Sequence, residues 1–193
     1  AEGSKAVDGV ASVLFAVKPQ DLGAVLSQLK GKVTTGHLLV SIVAGAPTAR
    51  YTEAFGDSAR IIRVMPNTPA LVGSGAAGVC AGGAATDEDL AAALKMLESV
   101  GRAVEMPESL MDAVTGLSGR GPAYVFHMIE CMAAAGEAQG LSAELSMKLA
   151  MATVAGAGAL ALRPRRLRVP DRAACRRVAP PRPEAVLGYG HSP

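Results

Sequence analysis

The chain has 193 residues, 50% hydrophobic and 3% aromatic with no Trp, so its core must come from Ala, Val, Leu and Met. The formal charge of +2 is uneven: residues 163–193 hold eight Arg against Asp171 and Glu184, a local +6, which leaves −4 on residues 1–162. A mildly acidic body argues against nucleic acid as a partner, and three scattered cysteines without a CxxC argue against a disulfide framework or zinc site and fit a reducing compartment.

Residues 1–12 are polar, with helix-compatible Ala6–Ala11. Ser12–Val17 is a continuous apolar run, as in a strand covered on both faces. Lys18-Pro19 stops it, and Gln20–Leu29 has helical spacing. Leu38–Val43 is a second buried strand, ended by Ala44-Gly45, and Thr48–Phe55 is a short helix with Gly56 past its end. Arg60–Met65 is a third strand, closed by Pro66 and Pro69; Gly78–Ala81 is a fourth and Ala103–Met106 a fifth. Between the last two runs a helix over Asp87–Gly101, capped by Thr86 with Asp89 completing a capping box. This alternation predicts an α/β chain with a parallel, doubly wound sheet.

After Pro107 the pattern is all helix, over Pro122–Gly140 and over Leu145–Leu162 with Ser142 as its cap. The uncharged run Leu149–Leu162 has 14 residues, short of the roughly 20 that span a bilayer, so it reads as a buried helix and no membrane partner is expected. Helices small and apolar all round must be enclosed, and a second copy of the chain is the simplest enclosure. Cys80 and Cys131 lie in apolar runs and read as buried small hydrophobes. Arg163–Pro193 carries half of the 12 prolines and no Lys, and reads as disordered. A basic nucleic-acid or membrane tail is its functional alternative. A shifted reading frame or a mis-spliced gene is the preferred origin, and an uninterrupted frame across the Leu162 codon encoding the same tail would defeat that idea. The expected division is therefore 1–107, 108–162 and 163–193.

The stretch Asp112–Phe126, DAVTGLSGRGPAYVF, is a Gly-rich elbow bearing Thr115 and Ser118, with Pro122 placed to open a helix. On pattern alone a tight interdomain turn is the preferred reading. Two segments satisfy a dinucleotide-loop pattern. Gly73–Gly78 leads into a strand and Gly156–Ala161 lies in a helix, whereas a phosphate loop needs a strand before it and a helix N-terminus after. Both are set aside.

Together with FAVKPQ at Phe15–Gln20, SIVAG at Ser41–Gly45 and RVMPNTPALVGSGA at Arg63–Ala76, the elbow resembles pyrroline-5-carboxylate reductase over roughly Ala6–Leu162. Arg120 departs from it, standing where that family usually has a small residue. The resemblance implies a Rossmann-type parallel sheet, lacking its first βαβ unit, followed by a truncated helical dimerisation domain. It implies reduction of the C=N bond of 1-pyrroline-5-carboxylate to L-proline with NADPH or NADH, in the cytoplasm or alternatively an organelle, by a homodimer or larger homo-oligomer.

By the same resemblance Ala16, Val17, Lys18 and Pro19, then Ile42, Val43 and Ala44, then Asn67, line the cofactor, and Glu108, Thr115 and Ser118 face the substrate. Read without it, Lys18 is an exposed lysine, Asn67 a turn cap and Glu108 a first-turn glutamate favoured by a helix dipole. No catalytic acid or metal set is apparent: His37, His127 and His191 lack metal spacing. The family's Ser-Pro-Gly-Gly-Thr-Thr loop has no match in Arg163–Pro193, so the chain is expected to be an internal piece with little activity. Two rivals remain: a helical association module without catalysis, and a hydroxy-acid dehydrogenase, whose usual helix lysine is missing from Pro122–Gly140.

Overall fold

The computed structural model describes residues 7–162; the Arg-rich tail, Cys175 and His191 lie outside them. Five strands form one sheet in the order β1-β2-β3-β4-β5. They are β1 (Ser12–Phe15), β2 (Leu38–Ser41), β3 (Arg60–Met65), β4 (Gly75–Gly83) and β5 (Gly101–Glu105). The first three run parallel, with Phe15 beside Ser41 and Ser41 beside Arg63. Their carboxyl ends therefore share one rim. The outer edge of β1 has no strand partner among the described residues.

One pairing breaks the expected parallel order. β4 runs antiparallel to β3, with Met65 beside Gly78 and Arg63 beside Cys80. Only residues 66–74, including a 3₁₀ turn at Thr68–Val72, separate the two strands. A parallel return needs a crossover of about a dozen residues or more, so the chain turns back as a hairpin. The fourth strand is also longer than Gly78–Ala81, because its glycines and alanines carry no alternation to mark its ends. β5 pairs parallel to β4 after a helical crossover.

Alternating side chains give the sheet two cores. On one face Phe15, Leu39 and Ile61 pack with Leu22, Leu26 and Leu29 of α1 (Leu22–Leu29) and Tyr51 of α2 (Ala49–Phe55). On the other, Val40, Ile62, Val64 and Val79 pack with Leu90 and Ala93 of α3 (Asp87–Glu98). α2 ends at Gly56, whose φ of +93° is open to glycine at little cost. Val7–Gly9, in the helix-compatible stretch Ala6–Ala11, forms a turn.

Beyond β5, a 3₁₀ turn at Glu108–Leu110 leads through α4 (Met111–Val114) to a single π turn, Thr115–Gly119, and then to α5 (Gly121–Ala138). The Gly-rich elbow is thus a widened helical turn closed by Arg120 N–H on the Thr115 carbonyl at 3.0 Å. Such turns recur at functional sites. The chain divides into two compact units between Phe126 and His127, inside α5, so the elbow belongs with the sheet.

In the second unit, α6 (Ala143–Ala161) starts at Ser142, whose hydroxyl accepts the Leu145 N–H at 3.3 Å. Ala133 in α5, and Ser146 and Ala150 in α6, are the helices' buried residues, while Met128, Met132, Leu145, Leu149 and Leu160 are exposed. Cys80 is buried as expected, but Cys131 is exposed on this chain, because its apolar helix has few neighbours to bury it. No helix among the described residues is long and apolar enough to cross a membrane.

The cap on α3 gives a simple stability test. Thr86 Oγ1 accepts the Asp89 N–H at 3.3 Å and Asp89 accepts the Thr86 N–H at 3.0 Å. We expect Thr86→Ala to cost about 1 kcal/mol by urea unfolding, with an unchanged denaturant slope. A cost near zero would mean that the box does not operate in solution.

Candidate active site

The parallel register places three strand ends side by side: Ala16–Pro19 after β1, Ile42–Ala44 after β2 and Pro66-Asn67 after β3. Ala16, Lys18, Pro19 and Ala44 are exposed, and Val17, Ile42 and Asn67 are half-buried. Val43 differs: its side chain is 3% exposed and sits in the core, so it presents only backbone at the rim. Small exposed groups at strand ends are what a flat ring needs in order to lie close, and open α/β sheets bind ligands there.

The elbow is fastened to this rim at its far end by Asn67. Its Nδ2 donates to the Ser118 carbonyl at 3.1 Å, while its Oδ1 accepts the Ala76 N–H at the start of β4 at 2.8 Å. The amide does not cap its own turn. A Cβ on Gly119 would lie 2.8 Å from Met65 Cε, so elbow and β3 approach closely here and a larger residue would push the methionine's end aside. The Thr115 hydroxyl donates to the Met111 carbonyl at 3.0 Å and the Ser118 hydroxyl to the Val114 carbonyl at 3.2 Å. Both protons are therefore used within the turn, leaving oxygen lone pairs for a ligand. Arg120 is exposed and does not fill the space between its flanking glycines.

At the near end, Glu108 is held by three donors. Its Oε1 accepts the Thr48 N–H at 2.8 Å and Arg63 Nη1 at 2.9 Å, and its Oε2 accepts the Thr48 hydroxyl at 2.6 Å. The Arg63 side chain is 8% exposed. Partial burial works to raise the Glu108 pKa, but the Thr48 hydrogen bonds and the Arg63 guanidinium outweigh it and hold the carboxyl below its usual value. Burial, aided by Glu108, pushes the neighbouring Cys80 thiol up to about 11, which leaves it un-ionised at neutral pH.

A cavity of about 600 Å³ borders the rim, lined by Leu14, Val40, Ile42, Asn67, Leu97 and the elbow's Gly119, among others. Its walls are almost wholly apolar. Both decoy loops lie where the spacing rules put them: Gly73 ends the 3₁₀ turn before β4 takes up Gly75–Gly78, and Gly156–Ala161 is inside α6. The described residues thus form an open rim of small groups beside an apolar cavity and provide no phosphate loop. They also contain no group of three or more metal ligands.

Arg63 and Thr48 were not singled out in the sequence. The signal was a cation inside the apolar run RIIRVM, since a charge there must have a buried partner. The acid that pairs with it lies 45 positions further along the chain, which spacing does not reveal.

The family model for pyrroline-5-carboxylate reductase dimerisation matches residues 108–176, carrying the similarity past Leu162. The pyrroline-5-carboxylate reductase of Methanosarcina acetivorans is 49% identical over 150 residues, covering 78% of this chain and 56% of that protein. That of Arabidopsis thaliana is 45% identical over 148 residues, 77% of this chain and 53% of the relative. The chain therefore spans about half the length of the curated relatives it matches. Among solved structures, the Plasmodium falciparum pyrroline carboxylate reductase with NADP bound superposes with a TM-score of 0.82 at 31% identity, over 94% of this chain and 68% of that one. The Coxiella burnetii pyrroline-5-carboxylate reductase gives 0.83 at 30%, over 93% and 66%.

Removing the Glu108 charge tests the clamp. A carboxyl held below its ordinary value of about 4.3 contributes stability that is present above that pH and lost as pH falls through the folded value. We expect Glu108→Gln to cost about 2 kcal/mol at pH 7, because Arg63 loses its counter-charge, and to flatten the acid side of the stability profile. An unchanged urea midpoint and acid limb would show the ion pair to be idle.

Proposed function

Because this chain belongs to the pyrroline-5-carboxylate reductase family, we propose that it forms the cofactor rim and substrate elbow of an enzyme that reduces 1-pyrroline-5-carboxylate to L-proline. The observation that carries this reading is the Asn67 bridge, which joins the β3 tip to the Ser118 carbonyl at 3.1 Å. It brings a surface suited to a flat ring beside a turn with two hydroxyl oxygens.

NADPH or NADH, when bound, supplies the hydride that the C=N carbon accepts. Ala16–Pro19 and Ile42–Ala44 would form the floor for that ring, and an NADP-bound structural relative supports the choice of cofactor class. Thr115 and Ser118 accept a hydrogen bond from the protonated imine nitrogen, since their own protons are directed at helix carbonyls. Glu108 contacts substrate only through what its three donors leave free, and its main task is to hold the elbow. No side-chain acid is needed, because an imine is already protonated at nitrogen when it reacts; orientation at the rim supplies much of the acceleration, up to roughly 7–11 kcal/mol.

The exposed apolar faces of α5 and α6 support a homodimer or larger homo-oligomer. α5 carries no lysine, which disfavours the hydroxy-acid dehydrogenase reading. We expect saturable quenching of NADPH fluorescence by this chain and only a small fraction of the roughly 10 s⁻¹ turnover common among enzymes. Self-association without any NADPH binding would favour the association-module reading instead. Leu149, 51% exposed in α6, tests the assembly: Leu149→Glu leaves the single chain's core intact and should shift sedimentation to monomer. An unchanged oligomer would place the interface elsewhere.

A further inference from the structure

The β2 tip is held from beneath by a buried pair of hydroxyls. Ile42 N–H still donates to the Phe15 carbonyl at 3.0 Å, but β2 ends at Ser41. The next N–H, that of Val43, donates to Ser41 Oγ at 3.2 Å. Ser41 Oγ in turn shares a 2.5 Å hydrogen bond with the Tyr51 hydroxyl, and both residues are fully buried. Phe15 fixes the Tyr51 ring edge-on, with centroids 5.2 Å apart and planes at 70°. Burial pushes the Tyr51 phenol up, so it keeps its proton. Tyr51 belongs to α2, and the residue just ahead of α2 is Thr48, gripped twice by Glu108. One short helix therefore reaches the rim at its middle and the elbow segment at its start.

We propose that Tyr51 is a positioning residue for the dinucleotide, setting the Ile42–Ala44 tip through Ser41 while Glu108 fixes the helix that carries it. This rests on the nicotinamide-binding reading above. A strand tip tied only by backbone would flex about its last ladder bond; the hydroxyl pair replaces the missing rung with a buried side-chain bond. Removing one hydroxyl leaves the other buried with a hydrogen bond unmade, which a local shift of the tip relieves.

Tyr51→Phe keeps the ring against Phe15 and removes only the hydroxyl, and Ser41→Ala breaks the pair from the other side. Two readouts decide the matter: NADPH affinity by fluorescence quenching, and hydrogen exchange at the Val43 and Ala44 amides without cofactor. We expect Val43 exchange to quicken about tenfold in each variant, with NADPH dissociation constants raised about three- to tenfold. The double variant should bind no worse than Ser41→Ala alone, since that change already removes the Tyr51 bond together with the one to Val43 N–H. Unchanged Val43 protection, unchanged NADPH affinity, or an equal quickening of all sheet amides would each overturn the proposal. Absence of NADPH quenching by the unsubstituted chain would sink the proposed function and this inference with it, and the Val43 readout would still show whether the bond holds the tip.

Discussion

The Glu108 carboxylate is the point on which the site is assembled. It takes two hydrogen bonds from Thr48, ahead of α2, and one from Arg63 inside β3. A guanidinium 8% exposed has little water to solvate it, so leaving it unpaired costs about 2 kcal/mol. The pair need not add net stability over an apolar substitute; its value is geometric. A planar cation accepts a carboxylate only from a narrow range of directions. The chain leaving β5 must therefore pass over Thr48 before it turns into the elbow, and Asn67 then fixes the elbow's far end.

Much of the sheet was legible because its strands are short apolar runs stopped by Lys-Pro, Ala-Gly or Pro. Arg60–Met65 was read to the residue, and the Thr86–Asp89 capping box forms both of its hydrogen bonds. The direction of β4 was not legible. It is set by the length of the 66–74 connection and not by any residue within the strand. The π turn at Thr115–Gly119 was likewise hidden, since glycine spacing fits a loop as well as a widened helix.

The site divides in the same way. The rim followed from parallel order, because strand ends that alternate with helices on each side must collect at one edge. The clamps did not follow. Asn67 reads as a turn cap until Ser118 and Ala76 are seen beside it, and Ser41 and Tyr51 look like ordinary residues of a strand and a helix. Side-chain bonds across 51, 45 and 10 residues of chain are tertiary facts, and no local propensity encodes them. Cys131 shows the opposite failure: an apolar run marks a surface that wants covering, which this single chain leaves open.

Native-state hydrogen exchange across a urea series addresses the claim that rim and elbow form one piece. Thr48 and Ala76 donate their amide protons to the side chains of Glu108 and Asn67, so they report the two clamps directly. If the clamps unite elbow and sheet, both amides open only with the β3 core amides, merging with Ile62 and Val64 at the global unfolding free energy. Opening of Thr48 and Ala76 at far lower free energy, independent of urea while the sheet stays protected, would contradict the account.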